Sequence, residues 1–144
     1  MKKLLLILLV FASGVSFAGT PVIDEKILKS FQDAFPKAEK VTWYEESGNY
    51  QVLFTCEQIK CRMWFDNKGN ALQTIRYYYE QNLCPFVMTK VKQKFAGKQI
   101  YGITEVSTDR GVVYNIILED EKKWYHVKVD TDGSVQLEKK YIKA

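Results

Sequence analysis

Apolar residues recur at every second position in Tyr50-Val52-Phe54 and Cys61-Met63-Phe65, and again in Tyr114-Ile116-Leu118 and Tyr125-Val127-Val129. That is the period of a strand with one buried face. Bounded by turn residues, the pattern predicts strands over 39–46, 49–56, 59–66 and 70–79, then over 99–108, 111–119, 122–130 and 134–142. Two segments break the period. Ile27, Leu28, Phe31 and Phe35 advance by one, four and eight, as do Val87, Met88, Val91 and Phe95; this is a helical stripe. The first helix is predicted to start at Thr20-Pro21, with Thr as cap, and to stop before Pro36. The second is predicted to start near Pro85 and to stop near Gly97.

The two halves match each other. The strand residues above correspond at a spacing of 64, as do Ala71 with Val135 and Tyr77 with Tyr141; the helical stripes correspond at 60. The second half therefore carries four extra residues, expected near Ser107–Gly111. The resulting expectation is an α+β fold, a tandem repeat of one helix plus a four-stranded antiparallel sheet. The sheets join into one larger curved sheet with the helices packed on one face. A single domain, 19–144, would hold both repeats, 20–80 and 84–144.

The same turn occurs once in each half: Asp66-Asn67-Lys68-Gly69-Asn70 and Asp130-Thr131-Asp132-Gly133-Ser134. Asp binds its own backbone there and Gly supplies a positive φ, so both read as hairpin turns. The Asp-x-Asp-Gly of the second also opens some calcium loops, but the further ligands such loops need do not follow.

Composition changes this picture in one place. Residues 1–18 hold Lys2 and Lys3, an apolar run, then Ser16 and Ala18, which is the pattern of a secretory signal peptide. Removing both lysines lowers the formal net charge from +4 to +2. No basic stripe dominates any segment, which argues against a nucleic-acid partner. No membrane association is expected after cleavage, and the expected location is the periplasm or outside the cell. The alternating core is large enough to fold without a metal or disulfide.

An exported protein can form disulfides, and an odd cysteine count leaves at least one thiol over. If Gln58 and Ile59 make the turn in Cys56-Glu57-Gln58-Ile59-Lys60-Cys61, Cys56 faces Cys61 with Cα atoms roughly 4.5–5.5 Å apart. A disulfide tolerates that distance. The alternatives are a redox switch and two buried free thiols. Cys84 is then the leftover, free or dimer-forming.

One strand face carries Tyr50, Val52, Phe54, Met63, Phe65 and their counterparts, and is expected under the helices. The other carries Leu53, Arg62, Trp64, Arg76 and Tyr78, and in the second half Val113, Ile117, Trp124, His126 and Lys128. Trp, Tyr and Arg are enriched at binding hot spots. Arg62, Trp64, Arg76, Tyr78, Trp124 and His126 are therefore the candidate partner-binding residues, although strand propensity alone also favours aromatics. No catalytic constellation is legible. His126 is the single histidine, and no phosphate loop, zinc-type spacing or nucleophile elbow occurs. No cofactor and no metal are expected.

The runs 31–54, 65–78 and 102–133 resemble the PepSY-like, beta-lactamase-inhibitor-protein-like family of secreted bacterial proteins. The shared marks are a helix with a Phe-Pro stop, Val41-Thr42-Trp43-Tyr44, Gly48 to Phe54, and the Asp-x-x-Gly-Asn turn, followed by a second round. The resemblance spans residues 20–144 and implies the tandem helix-plus-four-strand fold in a periplasmic protein. The inhibitor that lends the name holds an enzyme on its sheet. Its contact loops have no residue-by-residue match here, so beta-lactamase inhibition is not carried over. Cys56, Cys61 and Cys84 depart from the family pattern without bearing on the fold.

The leading expectation is a non-enzymatic binding module that presents an aromatic sheet face to a protein or peptide. The alternatives are an inhibitor or regulator of a secreted hydrolase such as a peptidase, and a calcium or small-ligand sensor. One prediction concerns processing: exported protein is expected to begin at Gly19. Intact mass of the exported material reads this, and residues 1–18 still attached would refute it.

Overall fold

The computed structural model describes residues 21–144. The expected signal peptide and the expected cap Thr20 lie outside them. The first helix, α1 (Glu25–Ala34), starts later than Pro21 because Asp24 caps it: its carboxylate accepts the Lys26 N–H at 2.8 Å. Four strands follow: β1 (Glu39–Glu46), β2 (Asn49–Cys56), β3 (Ile59–Phe65) and β4 (Ala71–Tyr78). A short 3-10 turn that the periodicity did not foretell, Glu80–Asn82, leads into α2 (Pro85–Lys94), with Pro85 at its first position. Four more strands close the chain: β5 (Gln99–Thr108), β6 (Gly111–Glu119), β7 (Lys123–Val129) and β8 (Val135–Ile142). Every strand lies within one residue of its expected bounds.

All eight strands form one curved antiparallel sheet in chain order, β4 pairing directly with β5. The β5–β6 hairpin is longer than the β1–β2 hairpin. Trp43 faces Val52 three rungs from the β1–β2 turn, whereas Ile103 faces Ile116 five rungs from the β5–β6 turn.

Both helices pack on one face. Phe31 meets Phe54 and Trp43 edge-on, with ring centroids 4.9 and 5.4 Å apart. Ile27 and Phe31 of α1 and Val87 and Val91 of α2 are buried with Val52, Met63, Phe65, Ile116, Leu118, Val127 and Val129. The two hairpin turns are built as their sequences require. Asp66 accepts the N–H groups of Lys68 and Asn70, each at 2.8 Å, and Gly69 has φ +86°. The Asp130 backbone carbonyl accepts the Gly133 N–H at 2.7 Å, the Asp132 carboxylate accepts the Ser134 N–H, and Gly133 has φ +78°.

Two expectations about register fail, each for a local backbone reason. The first concerns the cysteines. Glu57 and Gln58 both have positive φ, 49° and 67°, the two-residue turn whose twist suits a hairpin. The turn is therefore one residue earlier than expected, Cys56 faces Ile59, and Cys61 faces Phe54. The two cysteines are diagonal neighbours on one face. Diagonal Cα atoms lie about 7–8 Å apart, beyond the usual disulfide span. Cys56, Cys61 and Cys84 are all free thiols.

The second concerns β4. Phe65 faces Ala71 and Trp64 faces Gln73, so Leu72 is an extra residue, a bulge. Beyond it every side chain of β4 changes face. Arg76 and Tyr78 thus lie on the helix-bearing face, opposite Glu105 and Ile103 of β5, and not on the open face with Arg62 and Trp64. There they form a polar lock. Arg76 Nη1 donates to Glu105 at 3.1 Å, and the Tyr78 hydroxyl donates to the other carboxylate oxygen at 2.5 Å. Burial, and then the bond to Glu105, push the Tyr78 phenol far above its ordinary range.

Two predictions follow from this interior. Tyr78→Phe is expected to lower stability by about 1–2 kcal/mol. Glu105→Ala is expected to cost about 3 kcal/mol, because it strands a half-buried guanidinium as well as a phenol. Urea denaturation measures both, and equal, negligible losses would refute the lock. The raised Tyr78 pKa means the folded state holds that proton more tightly. Its contribution is intact below the unfolded phenol pKa of about 10 and is lost as pH rises further. In reduced native protein, exposed Cys84 is expected to react with a maleimide first, and buried Cys61, whose thiol pKa burial raises, only on unfolding. Peptide mapping of the labelled chain reads the order.

Candidate open-face interface

Pairing partners place residues on the sheet's open face without ambiguity. Arg62 faces Leu53 and Ile75; Trp64 faces Gln51 and Gln73. In the second half His126 faces Ile117 and Lys139, and Trp124 faces Glu119 and Tyr141. Four of the six expected binding residues, Arg62, Trp64, Trp124 and His126, therefore share this face. Arg76 and Tyr78 do not.

Following the rungs across the sheet gives one continuous row: Thr42, Leu53, Arg62, Ile75, Val106 and Val113. Leu53, Ile75, Val106 and Val113 are each half-buried, although both helices lie on the other side. No described element of the chain covers this row. Trp64 stands beside it in the next row, under the Arg62 guanidinium at 5.8 Å from ring centroid to Cζ.

A second aromatic group lies toward the β7 end. Tyr101, in the bulge between Ile100 and Gly102, meets Trp124 edge-on with centroids 4.8 Å apart. Lys143 Nζ sits over the Trp124 ring, 4.4 Å from its centroid, and donates to Glu119 at 2.5 Å. His126 and Tyr141 pair with centroids 5.0 Å apart. Between the two groups, Tyr77, Tyr101, Ile117, Thr104 and Lys60 line a shallow depression of about 390 Å³. Tyr101 is 56 % exposed and Tyr77 40 %.

Alternation alone missed Tyr77, Tyr101, Tyr141 and Ile75. Tyr77 and Ile75 reach the open face through the Leu72 bulge. Tyr141 reaches it through a second bulge, between His126 and Val127 on one strand and Leu137 and Lys139 on the other. The aromatic character of the three tyrosines was a visible signal; the side of the sheet was not, because no residue type marks these bulges.

Chemically this face offers flat apolar area, ring faces and cationic heads. Among the described residues no cluster of three or more His, Cys, Asp or Glu side chains is placed to hold a metal ion, and no helix is long and apolar enough to cross a membrane.

Neither a protein-family model nor a curated protein sequence matches the chain significantly. Solved structures do. A BLIP-like protein from Bacteroides fragilis is similar over 88 % of this chain and 92 % of its own, with TM-score 0.65 at 17 % identity. A DUF2874 family protein from Bacteroides ovatus is similar over 85 % of this chain and 89 % of its own, with TM-score 0.61 at 19 % identity. A candidate periplasmic protein from Bacteroides eggerthii covers 85 % and 90 %, with TM-score 0.60 at 12 % identity. At such identities the shared property is the fold: this chain folds as the BLIP-like protein does, two helices on one side of a continuous antiparallel sheet.

Proposed function

We propose that this protein is a non-enzymatic binding module of the periplasm or extracellular space, which holds a protein or peptide partner on its open sheet face. One observation carries the reading. The row Leu53, Ile75, Val106 and Val113 is half-buried, with Trp64 and Tyr77 in the adjoining rows and Tyr101 and Trp124 farther along the same face, yet no described part of the chain packs on it. Apolar area gathered in one uncovered patch marks an interaction surface, and aromatic residues dominate binding energy at such surfaces. The likeness to a BLIP-like protein and to a candidate periplasmic protein supports both the partner class and the compartment. It also supports membership of the beta-lactamase-inhibitor-protein-like family; descent of the two helix-plus-four-strand halves from one repeated unit rests on their matching sequence positions alone. A second reading, an inhibitor of a secreted hydrolase, draws on the BLIP-like fold alone. It differs in requiring that the captured partner be an enzyme that is slowed on binding.

The test is capture from a periplasmic extract by the wild-type chain and by Trp64→Ala and Trp124→Ala. Each variant is expected to lose about 2 kcal/mol or more of affinity for the captured partner, while its urea midpoint stays near wild type because both rings are only partly buried. Undiminished capture by both variants would refute the open face as the binding surface.

A further inference from the structure

The centre of the open face carries a donor with nothing to bind. Arg62 Nε is buried and has no hydrogen-bond partner. Buried donors in folded proteins are almost always satisfied, and one that no group of its own chain satisfies is met by a water, an ion or a partner's acceptor. Arg62 takes part in none of the ion pairs among the described residues. Its rung neighbours are Leu53 and Ile75, which offer no acceptor atom in their side chains, and its guanidinium rests over Trp64.

The charge around it points the same way. Lys60, two residues away on the same face, and Lys139, opposite His126, are also outside every ion pair. The carboxylates of this face stand away from Arg62. Glu119 is held by Lys143, Glu46 lies at the last rung of the β1–β2 hairpin, and Glu138 sits in the β8 bulge near Lys128. The apolar row is thus broken at one point by a cation with an unused planar fork.

We infer that the partner of this face is an acidic protein segment: an Asp or Glu carboxylate is taken by the Arg62 fork, while apolar side chains beside it lie on Leu53, Ile75 and Trp64. This rests on the open-face reading above and adds to it the partner's chemistry. Guanidinium and carboxylate match as two parallel N–H···O bonds. The apolar rungs on either side of Arg62 favour a protein side chain over a free anion, because they would leave a small ion half-desolvated with no compensating contact.

The experiment titrates the isotope-labelled chain with two blocked peptides, acetyl-Leu-Glu-Leu-amide and acetyl-Leu-Gln-Leu-amide. It follows the Arg62 Nε–H resonance together with the indole N–H resonances of Trp64 and Trp124. The Glu peptide is expected to move the Arg62 signal, and the Gln peptide to need at least about tenfold more for half the shift, as expected for loss of a charge-assisted bidentate pair. Arg62→Gln is expected to abolish the preference and Arg62→Lys to keep only part of it, with both variants folded by their unchanged amide spectra elsewhere. If the indole signals move equally with both peptides and Arg62 does not respond, the acidic partner is refuted while the open face stands. If no open-face signal moves with either peptide, or the shifts map to the helix side, the acidic partner is refuted and the open-face reading falls with it. A preference for a phosphoserine peptide over the Glu peptide would also overturn the inference.

Discussion

Everything in this structure depends on the pairing of β4 with β5. Six rungs, from Gln73–Thr108 to Tyr78–Ile103, turn two four-stranded sets into one eight-stranded sheet. Across that joint Arg76 stands directly opposite Glu105, and Tyr78 reaches the same carboxylate. Glu105 is 12 % exposed at its side chain, so breaking the pair from one side is costly because it leaves a desolvated charge unpaired. Its geometry also penalises a slipped joint. A shift of one residue would turn Arg76 and Tyr78 to the open face and leave Glu105 unpaired among apolar neighbours. The lock therefore specifies the register of the joint as well as holding it.

A continuous sheet with both helices on one side has an unavoidable consequence: the other side is bare. In most sheets with a single covered face, the bare face reads polar. Here it does not. The rungs put Leu53, Ile75, Val106 and Val113 in one line with Trp64 and Tyr77 beside it, and set Tyr101 and Trp124 farther along the same face. Some of that apolar area is shielded within the face itself, by Lys143 over Trp124 and by Arg62 over Trp64. Lysine and arginine stems can cover apolar surface while their heads stay wet. Lys143 also has Glu119 to bind, whereas Arg62 has no acceptor, and this difference separates a shielded spot from a docking spot.

The bulges decide which residues share a face. Leu72 turns Ile75 and Tyr77 outward and Arg76 and Tyr78 inward; the β8 bulge brings Tyr141 beside Trp124. Both bulges sit in the fourth strand of a helix-plus-four-strand set, but the second lies two residues beyond the position equivalent to the first. The two halves of the open face therefore differ in composition. The first half presents a cation in an apolar row, and the second presents edge-on and tilted ring pairs.

Much of the architecture was legible in the residues alone. Period-two alternation marked β2, β3, β6 and β7, because each keeps a buried side, whereas the edge strands β1 and β8 bury almost nothing and were bounded by their turns; the one-four-eight spacing located both helices, because each must bury a stripe. Asp and Gly marked two hairpin turns through their own backbone chemistry. The joining of the halves and the choice of one face for both helices were expected from the matching core positions. What only the tertiary structure decided were the offsets of single residues: the helix start at Asp24, the turn at Glu57–Gln58, and the bulge at Leu72. None is marked by its residue types: the helix start is set by which polar residue caps it, the bulge by pairing with the neighbouring strand, and the turn places two non-glycine residues at positive φ, a conformation their types disfavour. Those offsets moved Cys56 away from Cys61, carried Arg76 and Tyr78 into the interior, and left Arg62 alone at the centre of the open face.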